Sequence, residues 1–142
     1  LCSGNSTRGY ETLPVTAQWD DEEKSTIHLR FEGRWTWDEF HTTFATYIKW
    51  LDESPHKVDF IADMLHSRGL PSGALQQVKR LADMNHPNSD LTVYVGMGGF
   101  LQALGQAFIR IYPRSAEKYK FEFASTIEEA RAKIARRRAG NK

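Results

Sequence analysis

The sequence predicts an α/β fold, a five-stranded mixed β-sheet carrying about four α-helices. Three observations carry that expectation. Two period-2 segments open the chain, helix-period segments then alternate with short apolar runs, and two Ser/Thr-x-x-Glu boxes mark helix starts. The chain has 142 residues, 40% hydrophobic and 26% charged, enough to bury about 68–70% of the unfolded surface around one core. That composition excludes disorder over most of its length. Cys2 is the one cysteine, which excludes an internal disulfide framework and a Cys-rich zinc site.

Each element follows from local pattern. Val15, Ala17 and Trp19 alternate with Thr16 and Gln18, the signature of a half-buried strand. A charged turn over 20 to 25 leads to Ile27, Leu29 and Phe31, which face away from His28, Arg30 and Glu32; the two strands form an antiparallel hairpin. Thr36 and Glu39 make a capping box for a first helix. Its Trp37, Phe40, Phe44, Tyr47, Ile48 and Leu51 share one face at a 3.6-residue period, and Pro55 ends it. The apolar run Val58, Phe60, Ile61, Ala62 and Met64 reads as a central strand covered on both faces.

A polar loop over 65 to 71 places Ser72 as N-cap of a second helix, with Ala74, Leu75, Val78, Leu81 and Ala82 on its apolar stripe. Residues 91 to 95 form a third buried strand. Gly96-Met97-Gly98-Gly99 then turns the chain into a helix carrying Phe100, Leu101, Leu104, Phe108 and Ile111, which ends before Pro113. Tyr119, Phe121 and Phe123 interleave with Lys118, Lys120 and Glu122 as an edge strand. Ser125 and Glu128 cap a last helix with Ile127, Ala130 and Ile134. Strands separated by helices imply right-handed crossovers and parallel neighbours. The expected organisation is a flexible arm over 1 to 13, one domain over 14 to 136 and a basic tail over 137 to 142.

The net charge of +1 conceals a split. Residues 1 to 109 hold 9 Lys and Arg against 14 Asp and Glu, whereas residues 110 to 142 hold 10 against 4. Such a split marks either a polyanion-binding face or one half of a fold pairing with the other; the second is the ordinary case, and nucleic acid is not expected as a partner. Residues 1 to 9 lack the charged-then-apolar layout of a signal peptide, which points to a cytoplasmic protein. Residues 91 to 109 are free of charge, but Gly96, Gly98, Gly99, Gly105, Gln102 and Gln106 among them argue against a transmembrane helix.

This element order, with the hairpin running into Phe31-Glu32-Gly33-Arg34-Trp35-Thr36-Trp37-Asp38-Glu39-Phe40, resembles the STAS fold. More narrowly it is similar to the SpoIIAA-like (STAS/SEC14-type) bacterial proteins, over residues 15 to 135. The resemblance implies a regulatory protein-interaction module of the anti-sigma-factor-antagonist kind, with another protein as partner, rather than an enzyme; no cofactor is expected. In those antagonists an Asp-Ser-(Ser/Thr)-Gly run follows the central strand, and the serine next to the glycine is phosphorylated. Ser72-Gly73 match that position, with Leu70 and Pro71 in place of the Asp and first Ser. The resemblance therefore marks Ser72 as phosphoacceptor, where a phosphate of about −1.5 to −2 charge would meet the positive end of a helix. A serine there is equally a plain cap.

The candidate partner- or ligand-binding residues are Asp63, His66, Ser72, Gly73, Gly96, Gly98 and Gly99. They follow the carboxyl ends of two strands, where α/β folds place ligand groups. Asp63 and His66 have the chemistry of a general acid/base pair, but no nucleophile or metal set accompanies them, and the five histidines are scattered; no catalytic or metal residue is expected. The Gly96 turn offers bare amides to an anion without matching a dinucleotide or Walker pattern. The alternatives are a SEC14-like carrier of a small ligand or lipid, with the uncharged 91 to 109 region lining an apolar pocket, and an enzyme using Asp63 and His66.

Overall fold

The computed structural model describes residues 13 to 140. The elements are β1 (Val15–Trp19), β2 (Thr26–Gly33), α1 (Trp37–Glu53), β3 (Val58–Ser67), α2 (Ala74–Met84), β4 (Ser89–Val95), α3 (Gly99–Ile111), α4 (Pro113–Lys118), β5 (Lys120–Ala124) and α5 (Ile127–Gly140). The sheet order is the chain order. β1 lies antiparallel to β2, with Val15 opposite Phe31 and Trp19 opposite Ile27, and β2 to β5 are parallel neighbours. The α/β class with a five-stranded mixed sheet is therefore as the sequence predicts.

Parallel crossovers of one hand that always step the same way put their helices on one face of a sheet. Helices α1 to α4 share that face, and α5, which follows the last strand, covers the other. Side-chain alternation along each strand separates two cores. Leu29, Phe31, Phe60 and Ala62 pack with Phe40, Tyr47 and Leu101 on the first face. Ile61, Leu91, Val93 and Val95 pack with Ala130 and Ile134 on the second.

Where the elements differ from expectation, the causes are local. The box at α1 forms as read: Thr36 Oγ1 accepts from the Glu39 amide at 3.2 Å, and Glu39 Oε1 accepts from the Thr36 amide at 2.8 Å. The box at α5 is shifted by one residue, because Thr126 Oγ1 accepts from the Glu129 amide and Glu129 Oε1 accepts from the Ser125 amide. Strand β3 continues three residues past Met64, carried by β2, which pairs Gly33 with Ser67 beyond an irregularity between Arg30 and Glu32. Pro113, which ends α3, also starts the unforeseen α4, since a proline suits the first turn of a helix.

The expected arm over 1 to 13 lies outside the described residues apart from Leu13. Arg137 and Arg138, expected in a tail, belong to α5, which runs to Gly140. They are engaged there: Arg138 Nε donates to Asp59 Oδ2 at 2.8 Å, and Arg137 Nη1 donates to Asp90 Oδ2 at 2.7 Å. Arg131 reaches Asp20 at 2.8 Å. The charge split is thus largely one part of the fold pairing with the other. Among the described residues no helix is long and apolar enough to cross a membrane, and the uncharged 91 to 109 stretch is divided between β4 and α3.

Candidate functional site

Helix α2 makes its main contacts with α3 and α4 rather than with the sheet, and the space beneath the helical layer is not filled. A cavity of about 330 Å³ lies between the sheet and α1, α2 and α3. Protein interiors hold few voids larger than a water molecule, whereas ligand pockets run from about 300 to 1,000 Å³. This space is of the second kind.

Its walls are mainly aromatic and aliphatic, with Gln77, Asn85, His86, Ser89 and Thr92 as polar members besides the tyrosines. The sheet contributes Leu29, Phe60, Ala62, Tyr94 and Phe123, and the helices contribute Phe44, Tyr47, Val78, Leu104 and Phe108. The rings pack edge to face, Phe44 on Tyr47 at 5.1 Å and Tyr47 on Phe60 at 5.3 Å between centroids, the geometry aromatic quadrupoles favour. No Asp, Glu, Lys or Arg lines the cavity. A polar cluster sits within these walls: the Tyr94 and Tyr119 hydroxyls hydrogen-bond to each other, and the Tyr47 hydroxyl has no hydrogen bond among the described residues although Tyr47 is 6% exposed. Burial pushes all three phenols above their ordinary value, and each of Tyr47 and Tyr94 is pushed further by its neighbours. The three are uncharged at neutral pH.

The residues singled out from sequence are distributed otherwise. Asp63 does not close its strand or meet His66. It is buried on the α5 face, with Oδ2 2.9 Å from His28 Nε2 and Oδ1 accepting from the Leu65 amide. His66 is exposed in β3, opposite Glu32 of β2. The Asp63 carboxylate is taken up by His28 and the Leu65 amide, and no hydrogen bond or ion pair joins it to His66 among the described residues, so an Asp63–His66 acid/base pair is not formed. His28 in turn lies 3.8 Å from Asp20, giving a part-buried Asp–His–Asp series that spacing in sequence did not reveal.

Ser72 is exposed but is not the cap of α2. Gly73 holds that position at φ +86°, with no side-chain cap, and the Ser72 carbonyl accepts from Trp37 Nε1 at 2.7 Å. Trp35 is core, its Nε1 donating to Ser67 Oγ. Gly96 turns at φ +100°, and a Cβ there would stand 3.0 Å from the Leu65 backbone; only glycine permits that approach. The Gly96 turn therefore abuts the segment leaving β3, while Gly98 precedes α3 and Gly99 begins it. Among the described residues no three His, Cys, Asp or Glu side chains converge as a metal site.

The 91 to 109 stretch does wall the cavity, through Thr92, Tyr94, Leu101, Leu104 and Phe108. Sequence reasoning missed Tyr47, Tyr94 and Tyr119 as a group. Their signal is a phenol standing where the apolar pattern is otherwise met by Phe, Leu or Ile. Comparison with protein-family models, curated proteins and solved structures finds no match.

Proposed function

We propose that this chain binds a small apolar ligand, of lipid or similar hydrophobic class, between its sheet and helices α1 to α3. The observation that carries this reading is a cavity of about 330 Å³ without a charged carboxylate, ammonium or guanidinium in its walls. An apolar void of that size forfeits dispersion contacts that a well-packed core would make, and an apolar occupant restores them. Trp37, which lines this space, ties α1 to the segment before α2. Native mass spectrometry of freshly purified protein, with uptake of the fluorescent hydrophobe N-phenyl-1-naphthylamine, tests the proposal. A noncovalent adduct or saturable uptake is expected; neither appearing would refute it.

A second reading is the STAS-like regulatory module that docks another protein. It draws on the contact between the Gly96 turn and Leu65, which joins the segment before α2 and the turn before α3 into one surface bearing the exposed Leu65, Ser72 and Phe100. Under this reading Ser72 is the switch, its phosphate lying at the start of α2. A mass shift with a cognate kinase, lost in Ser72→Ala, supports it, and no shift removes the switch. An enzyme built on Asp63 and His66 has no geometric support.

A further inference from the structure

Nothing in hydrophobic packing requires hydroxyls inside this cavity. Phe40, Phe44, Phe60, Phe108, Phe121 and Phe123 fill comparable wall positions without one. Yet three phenols from three separate places in the chain, α1, β4 and the residue before β5, line this one cavity, and those of Tyr94 and Tyr119 hydrogen-bond to each other. A buried hydroxyl left without a partner costs about 1–3 kcal/mol, and Tyr47 carries one among the described residues. In the Tyr94–Tyr119 pair one hydroxyl proton is used between the rings, and the Thr92 hydroxyl stands beside Tyr119 as a further donor or acceptor in the same wall.

We infer that Tyr47, Tyr94 and Tyr119 form a polar anchor, and that the ligand carries one uncharged oxygen, a hydroxyl or carbonyl, which hydrogen-bonds there while its hydrocarbon lies against the aromatic walls. The inference rests on the ligand-binding reading above and narrows it. An anionic head group does not suit the site: no Lys or Arg lines the cavity, the lining histidine, His86, is already engaged by Asp52 at 2.7 Å, and a buried ion without a counter-charge costs several kcal/mol. Protonated phenols offer both donor and acceptor capacity, as an alcohol requires, and a donor for a carbonyl.

The test displaces N-phenyl-1-naphthylamine from the full chain with 1-decanol, 1-chlorodecane and decanoate at pH 8. Partitioning from water alone favours chlorodecane over the better-hydrated decanol, so a reversed order reports the anchor. Decanol is expected to bind about tenfold more tightly than chlorodecane, the value of one or two net hydrogen bonds, with decanoate weakest. Tyr47→Phe and Tyr94→Phe should each bring decanol to within about twofold of chlorodecane and leave chlorodecane unchanged, which also shows that the variants fold. Equal binding of decanol and chlorodecane, an advantage that survives both Phe variants, or tightest binding by decanoate overturns the anchor while ligand binding stands. No uptake of the probe or of any decyl compound overturns both.

Discussion

On the α5 face, small aliphatic side chains from β3 and β4 meet Ala130 and Ile134 with no exposure above 4%, and three arginines of the same helix are held by aspartates of the sheet side. On the opposite face the side chains are larger, many of them aromatic, and a ligand-sized space remains. One sheet thus carries a filled face that holds the fold and a hollow face that can be occupied. The contrast shows why burial alone does not identify a core. Phe60 and Val93 are both buried, but only the residue on the α5 face is surrounded on every side by protein.

The largest expected effect falls on the filled face. Asp59, its side chain 5% exposed, accepts from the Leu91 amide and from Arg138. Arg138→Ala leaves that carboxylate without its cation, at a cost of about 3 kcal/mol in urea unfolding, the lower end of the range for a broken buried pair because Arg138 is partly exposed. A loss under about 1 kcal/mol would show that solvent already satisfies Asp59.

Paired enlargements sharpen the comparison. Ala130→Leu on the filled face should cost about 1–3 kcal/mol by overpacking. Ala62→Leu projects into the cavity and should leave stability unchanged or raised while abolishing uptake of the naphthylamine probe. Equal destabilisation by the two would mean that the faces are packed alike.

The faces also differ in pH response. Burial alone would raise the carboxyls of Asp90 and Asp21, but the Arg137 hydrogen bond and charge on Asp90, and the Ser25 and Thr26 hydrogen bonds on Asp21, outweigh it and hold both below 3.8. Groups lowered in this way stabilise the fold above pH 3.8, and that stability is lost as pH falls through their lower folded values. Burial raises Tyr47, Tyr94 and Tyr119 above 10.0, so their contribution is complete below pH 10.0 and is lost as pH rises beyond it. Melting temperature against pH should fall at both ends. Arg137→Ala should blunt the acid limb and Tyr94→Phe the alkaline one; an exchange of these effects, or none, contradicts the assignment.

The smallest effects separate two helix starts. Thr36→Ala should cost about 1 kcal/mol through its capping box, whereas Ser72→Ala, removing no cap, should fall within about 0.5 kcal/mol. Comparable losses at both sites would restore Ser72 as a cap.

Much of the architecture was legible, because the periods of 2 and 3.6 in segments such as Ile27–Leu29–Phe31 and Phe40–Phe44–Tyr47 are set by backbone geometry alone. Ser72 misled because a left-handed Gly73 can open a helix without any side-chain cap. The Asp63–His28 contact depends on the register between β2 and β3, to which sequence spacing is blind. The cavity was hidden for a further reason: a pattern of apolar residues says which side chains face inward but not how far the opposing layer stands away. The phenols at 47, 94 and 119 were the available sign, visible as a group only once the fold brings them together.

Methyl-resolved NMR during titration with 1-decanol tests the two-faced account most directly. Shifts should concentrate on Leu29, Met64 and Leu104 around the cavity and leave Ile61, Val93 and Ile134 beneath α5 unmoved. Shifts spread equally over both faces, or none at saturating decanol, would contradict it.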